Sequence, residues 1–373
     1  MKQTNLYKQK IFLYLSGIIF LSLIISCGGF SKSGTSNVPV DVYVGGNSGG
    51  DYPNDRVAVY WKNGKMVPLS TKRSEVTSIA VAGNDVYMGG YYCIDDVSMM
   101  QADGDMSVPR AGYWKNCKWV GLSNTKYGSS VRAIFVSGND VYACGRVRNR
   151  EDVILRGYWK NGKWLGLGNV KDASFVAISI FVSGNDVYVG GYSKNNVGIF
   201  TACYWKNREW VALPSLNEKN DASVTSIFVS GNDVYASGYS RNNYSQIPGY
   251  WKNREWVALP SLSENKDTSS ANSIFVVGND VYVGGYSYNN SGIGIACYWK
   301  NGKIIPLLLS DPKWSSVESI FVFGRDVYAG GHSRDSGFDI PGYWKNGEWL
   351  KLDAKGDYPS VTSIVVVPRS TGQ

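Results

Sequence analysis

The stretch SIFVSGNDVYVGGY (residues 179–192), followed after a variable segment by ACYWKNREWVAL (residues 202–213), decides the architecture, because versions of it recur along the chain. Asp-Val-Tyr returns with its aspartate at Asp41, Asp85, Asp140, Asp186, Asp233, Asp280 and Asp326, at intervals of 44 to 55 residues. Tyr-Trp-Lys-Asn returns with its tryptophan at Trp61, Trp114, Trp159, Trp205, Trp251, Trp299 and Trp344. Both motifs therefore occur seven times, and a period of this length marks a solenoid, a ring or an array of one supersecondary unit.

Each unit reads as four strands. Strand a is the Ser-Ile-Phe-Val run and strand b the Asp-Val-Tyr-Val-Gly-Gly run, joined by Gly-Asn in a tight hairpin. Strand c ends at Tyr-Trp-Lys, and strand d is the Lys-Trp-Val run. The c to d link is Asn-Gly at Asn63-Gly64, Asn161-Gly162, Asn301-Gly302 and Asn346-Gly347, a pair suited to the two positive φ angles of a type I′ turn. Asn116-Cys117, Asn207-Arg208 and Asn253-Arg254 depart from it, each at a cost of a fraction of a kcal/mol to about 1 kcal/mol. A five-residue step across this turn makes Trp114 and Trp119 cross-strand partners, likewise Trp159 and Trp164, Trp205 and Trp210, Trp251 and Trp256, Trp344 and Trp349. Met66 and Ile304 take the second place in the other two units, which leaves Trp314 as the one tryptophan of 13 outside the pattern.

The ends of the repeat complete one another. Six units carry an isoleucine six residues before the aspartate, at Ile79, Ile134, Ile180, Ile227, Ile274 and Ile320, whereas Asp41 has no such strand before it. The segment Ser360-Val361-Thr362-Ser363-Ile364-Val365-Val366-Val367 supplies an opening strand with no Asp-Val-Tyr behind it. A solenoid needs atypical caps, while a ring needs its ends to share one unit. Strands a and b are apolar on both faces, which calls for burial on both sides. Two tight hairpins per unit force antiparallel pairing and argue against a parallel β-helix. The expected fold is all-β, a seven-bladed β-propeller of four-stranded antiparallel blades, with the C-terminal strand completing the first blade. Composition agrees: 43 Gly, 26 Tyr and 13 Trp against 18% charged residues in 373 favour strands and tight turns over helices.

The N-terminus reads as an address. Lys2, Lys8 and Lys10 precede an almost wholly apolar run from Ile11 to Ile25, the n-region and h-region of an export signal. The run ends Leu23-Ile24-Ile25-Ser26-Cys27, which resembles the bacterial lipobox, whose cysteine is acylated before cleavage. Residues 1–26 are therefore expected to be a lipoprotein signal peptide and residues 27–37 the lipidated Cys27 with a Gly/Ser-rich tether. The propeller is assigned to residues 38–367 and a C-terminal tail to 368–373. Gly28 stands where inner-membrane lipoproteins often carry Asp, so the expected location is the bacterial cell envelope, more on the outer than the inner membrane. Several acyl chains hold a protein stably where one is marginal.

The net charge of +8 includes the three leader lysines, and what remains is too mild to imply nucleic acid. Cys93, Cys117, Cys144, Cys203 and Cys297 remain beside Cys27, an odd set that implies no disulfide framework. His332 is the only histidine, and no second histidine or cysteine pair can build a transition-metal site; no metal and no cofactor are expected. The recurrent aspartate is read as a turn residue bonding nearby backbone amides rather than as a calcium ligand. From about residue 38 to 367 the chain resembles uncharacterised bacterial repeat lipoproteins built of Asp-Val-Tyr and Tyr-Trp-Lys-Asn-Gly propeller units. That resemblance implies the fold and the lipid anchor and no activity.

In an antiparallel blade the a to b and c to d turns fall at one end, and they barely vary. The b to c and d to a stretches fall at the other end and differ from unit to unit, which makes that face the place for binding residues. Just after the paired glycines the ring would display Tyr91, Arg146, Tyr192, Tyr239, Tyr286 and His332, and two residues later Arg148, Lys194, Arg241, Tyr288 and Arg334. Such an aromatic and basic rim suits a glycan or an acidic protein partner; tyrosines packed between blades and solvated charges are the plainer alternative. The expected function is a monomeric, non-enzymatic envelope lipoprotein that binds a protein or glycan through this face. The alternative is a hydrolase or lyase acting on polysaccharide, with acids drawn from Asp95, Asp96, Glu151, Asp152 and Asp335 and two carboxyls about 5 to 9.5 Å apart.

Overall fold

A computed structural model describes residues 38–49, 56–71, 73–95, 107–123, 125–168, 174–242, 245–263, 269–309, 314–335, 337–356 and 358–369. The expected signal peptide, Cys27 and its tether lie outside these residues. The described residues form seven four-stranded antiparallel sheets with no helix, each ordered a, b, c, d: a seven-bladed β-propeller. Blade 1 comprises residues 40–68 with 360–368, and blades 2 to 7 comprise 74–121, 129–166, 174–212, 222–258, 270–306 and 315–351.

The ring closes as the sequence predicts. The strand Ser360–Pro368 pairs antiparallel with Val40–Ser48, placing Val366 opposite Val42 and Ile364 opposite Val44. Val361, Ile364 and Val366 are buried among Val42, Val44 and Trp61 of their own blade and Tyr328, Tyr343 and Leu352 of blade 7. Arg369, two residues past the expected end of the propeller, donates its backbone N–H to Pro39 and its Nε to Asp41.

Local turn chemistry explains the hairpins. The glycine opening each a to b turn has φ near +60°, as at Gly184 with 58°. In the c to d turn both residues are left-handed even without glycine: Cys117, Arg208 and Arg254 hold φ of 66°, 75° and 74°. The tryptophans flanking that turn are register partners, Trp114 with Trp119 and Trp344 with Trp349, ring centroids 4.5 and 4.3 Å apart. Trp205 and Trp210 share the register without stacking; Phe175 takes the face of Trp205 at 5.0 Å, and Trp210 is exposed.

Every strand a carries a one-residue bulge, which bends the strand and pins its register. The seven bulged positions are Thr362, Thr77, Arg132, Ile178, Thr225, Asn272 and Glu318. The second glycine of the Gly-Gly pair exists because of this bulge: a Cβ on Gly191 would collide with the Val176 carbonyl oxygen, and Gly90 and Gly285 face Glu75 and Ser270 in the same way. Further along strand a, Phe135, Phe181, Phe228, Phe275 and Phe321 form a belt from blade to blade, with successive centroids 4.7–5.1 Å apart.

Candidate functional site

The two ends of the ring differ in kind. At the short-turn end one polar clamp is built seven times. The Asn of the c to d turn accepts the backbone N–H after the aspartate at 2.8–2.9 Å. Its Nδ2 donates to the aspartate at 2.6–2.9 Å. The Lys before it pairs with the other carboxylate oxygen at 2.7–3.2 Å. This corrects the reading of the aspartate as a bonder of backbone amides: the amide bond is made by Asn, and the aspartate orients that Asn. Seven copies of one satisfied clamp are scaffold.

At the opposite end the units diverge, beginning at the bulge. The residue there latches its blade to the next. Thr362 Oγ1 donates to the Val76 carbonyl at 3.0 Å, Thr77 to Val131 at 3.1 Å, Thr225 to Ala271 at 2.6 Å, and Asn272 Nδ2 to Val317 at 2.9 Å. Arg132, Ile178 and Glu318 break the series. Glu318 instead accepts from Ser316 Oγ at 2.8 Å and stands 3.9 Å from His332 Nδ1.

The expected rim residues share one register on strand b but not one environment. Tyr91, Arg146, Tyr192, Tyr239, Tyr286 and His332 lie opposite Glu75, Ser130, Val176, Ser223, Ser270 and Ser316 of strand a. Burial, above all, pushes the hydroxyls of Tyr91, Tyr239 and Tyr286 up in pKa. Three of the basic positions carry acid partners: Arg148 with Asp152 at 2.9 Å, Arg241 with Asp221 at 3.9 Å, and Arg334 with Asp339 at 3.0 Å. Lys194 lies over the Phe200 ring at 5.5 Å, beside Tyr192. Arg146 has no acid partner among the described residues, its Nε donating to Ser130 Oγ at 3.2 Å.

Two groupings emerge. On blades 6 and 7 the leftover Trp314 joins the rim residues into one aromatic run: Tyr288 to Tyr286 at 5.8 Å, Tyr286 to Trp314 at 5.6 Å, Trp314 to His332 at 5.1 Å, with the Arg334 guanidinium 5.4 Å over the indole. The Trp314 carbonyl accepts the Arg334 backbone N–H at 2.8 Å, which fixes the loop on strand b. Between blades 2 and 3 lies a cavity of about 270 Å³, lined among others by Arg73, Glu75, Tyr91, Ser130, Arg132 and Arg146.

Sequence reasoning missed Arg132, Glu318 and Glu75, although the repeat itself flags the first two as charged residues at a position that three blades fill with Thr. Of the acids considered for catalysis, Asp152 is ion-paired and exposed, and Glu151 and Asp335 are exposed. Asp96 and the Asp95 side chain lie outside the described residues. Among the described residues no cluster of three His, Cys, Asp or Glu is placed to hold a metal, and Cys93, Cys144, Cys203 and Cys297 are buried and in no disulfide. Burial pushes Cys144 and Cys203 up to about 12.

No protein-family model matches the chain, and no curated protein sequence matches it. Among solved structures, a putative 6-phosphogluconolactonase from Bacteroides uniformis is similar at 11% identity and a TM-score of 0.44, covering 89% of this chain and 100% of its own. A second putative 6-phosphogluconolactonase, from Bacteroides fragilis, is similar at 11% identity and a TM-score of 0.40, covering 90% of this chain and 99% of its own. At that distance the likeness carries no argument about chemistry.

Proposed function

We propose that this protein is a non-enzymatic glycan-binding lipoprotein of the bacterial envelope, held by acylated Cys27 and binding through the variable-loop end of a monomeric propeller. The observation that carries the reading is the continuous run Tyr288, Tyr286, Trp314, His332 with Arg334 above it. A partly exposed aromatic row flanked by a guanidinium offers apolar faces and directed polar groups together, the combination that sugar rings require. The clamp end supports the same choice of face, because it repeats one satisfied polar network in all seven blades. The lipobox-like Ser26-Cys27 and the Gly/Ser-rich segment behind it support an anchor on a tether, and Gly28 supports the outer membrane.

Glycan arrays and envelope-protein capture with the mature chain, beside Trp314→Ala, test this. Binding to one or more glycans that Trp314→Ala weakens about tenfold or more is expected, on the scale of a lost aromatic anchor. Selective capture of a protein with no glycan bound would replace the ligand class. Glycan binding indifferent to Trp314→Ala would move the site.

A further inference from the structure

We propose that the cavity between blades 2 and 3 is a subsite for an acidic sugar residue, a uronate whose carboxylate is taken by Arg132 and Arg146. This rests on the glycan-binding reading above and names a chemistry that the aromatic run does not supply. At about 270 Å³ the cavity falls just below the range of about 300–1,000 Å³ typical of whole-ligand sites, which suits one ring of a longer chain.

The sibling blades show how unusual the lining is. Where Arg132 stands, three other blades carry Thr and use it to latch a neighbour. Where Arg146 stands, four carry Tyr. Blade 3 thus gives up a structural hydrogen bond and places two guanidiniums on one wall. Neither has an acid partner among the described residues, and Arg146 uses only Nε on Ser130. Burial and the neighbouring Arg132, Arg148 and Arg156 disfavour the charge on Arg146, so an incoming anion relieves repulsion as well as forming hydrogen bonds. Planar, forked donors match a carboxylate.

Blade 2 supplies the other wall. Glu75 replaces the serine found in five sibling blades; it accepts from Tyr91 Oη at 2.5 Å and from Asn47 Nδ2 at 3.5 Å. Arg73 also lines the cavity and donates to Ser107 Oγ at 2.6 Å. A carboxylate on this wall repels a phosphate dianion but accepts hydroxyl donors. The site therefore asks for one acid group facing blade 3 and hydroxyls facing blade 2, which is the constitution of a uronate.

Calorimetric titration of the full mature chain with an oligogalacturonide, a neutral galactose oligomer, inorganic phosphate and glutamate tests the assignment. Arg132→Thr and Arg146→Tyr install residues that sibling blades already hold, and melting temperatures no lower than the parent's verify their folding; Arg132→Lys keeps the charge without the fork should either fail. Preference for the oligogalacturonide is expected, with about a tenfold or greater loss in each variant. Equal binding by the variants, or phosphate or glutamate binding as tightly as the uronide, overturns the proposal. Neutral sugar bound as well as the uronide removes the acidic subsite and leaves glycan binding intact, whereas no sugar bound at all removes both.

Discussion

Arg369 donates its Nε to Asp41 Oδ1 at 2.8 Å across 328 residues of sequence, and this contact sits on the seam where the two ends of the chain share blade 1. Among the described residues, Asp41 is the one clamp aspartate that receives a guanidinium besides its Asn and Lys. It is also the least exposed, its side chain 12% accessible against 36–42% in the other six blades.

Cutting the seam should be far more damaging than loosening it. Deleting 360–373 removes the buried Val361, Ile364 and Val366 and leaves Val40–Ser48 as an unpaired edge. Three such side chains contribute on the order of 5 kcal/mol or more, so loss of cooperative unfolding is expected. Arg369→Ala should cost only about 1 kcal/mol. Chemical denaturation of both variants checks the contrast; equal midpoints would refute circular closure.

Acid should act on the same seam. Desolvation pushes the Asp41 carboxyl up, but hydrogen bonds from Asn63, Arg369 and Lys62 outweigh it and hold the pKa at about 2, below the ordinary 3.8. A carboxyl held below its unfolded value stabilises the fold above about pH 4, and that contribution is lost as pH falls towards 2. Asp41→Asn should therefore be less stable than the parent at pH 6 and converge with it near pH 2. Melting temperatures across that range decide; parallel curves would show that Asp41 is not responsible.

The bulge latch makes opposite predictions in two blades. Thr225→Val removes the 2.6 Å bond to the Ala271 carbonyl and should cost about 1 kcal/mol. Arg132→Thr should restore a latch towards Ala177 and gain about 0.5–1 kcal/mol. Urea midpoints measure both, and an Arg132→Thr variant that is destabilised would mean that the arginine serves the fold.

Three c to d turns hold a residue other than glycine at their second left-handed position. Arg254→Gly at φ 74° relieves that strain and should stabilise by about 0.5–1 kcal/mol. Arg208→Gly should gain less, because Arg208 Nε donates to the Gly166 carbonyl at 2.7 Å. Ranking the two by thermal unfolding checks this, and the reverse order would contradict it.

Much of this was legible in the residues. The seven Asp-Val-Tyr motifs and the orphan segment at Ser360 announced the ring and its seam, because hairpin turns and alternate burial are local properties. Trp314 announced itself as the tryptophan outside the pattern, though not its neighbours. The role of the clamp aspartate was misread, since its Asn and Lys partners arrive from the end of strand c, about 20 to 30 residues on. Trp205 and Trp210 were rightly paired in register, yet their contact was lost to Phe175, which enters from strand a.

By itself the amino-acid order determined blade number, strand order and the face on which the units differ, since periodicity and turn chemistry act over a few residues and repeat themselves. Only the tertiary structure decided that Arg132 and Arg146 of blade 3 share a cavity with Glu75 and Tyr91 of blade 2. That meeting depends on how adjacent blades twist and pack around the axis, a property of whole sheets that no local pattern specifies.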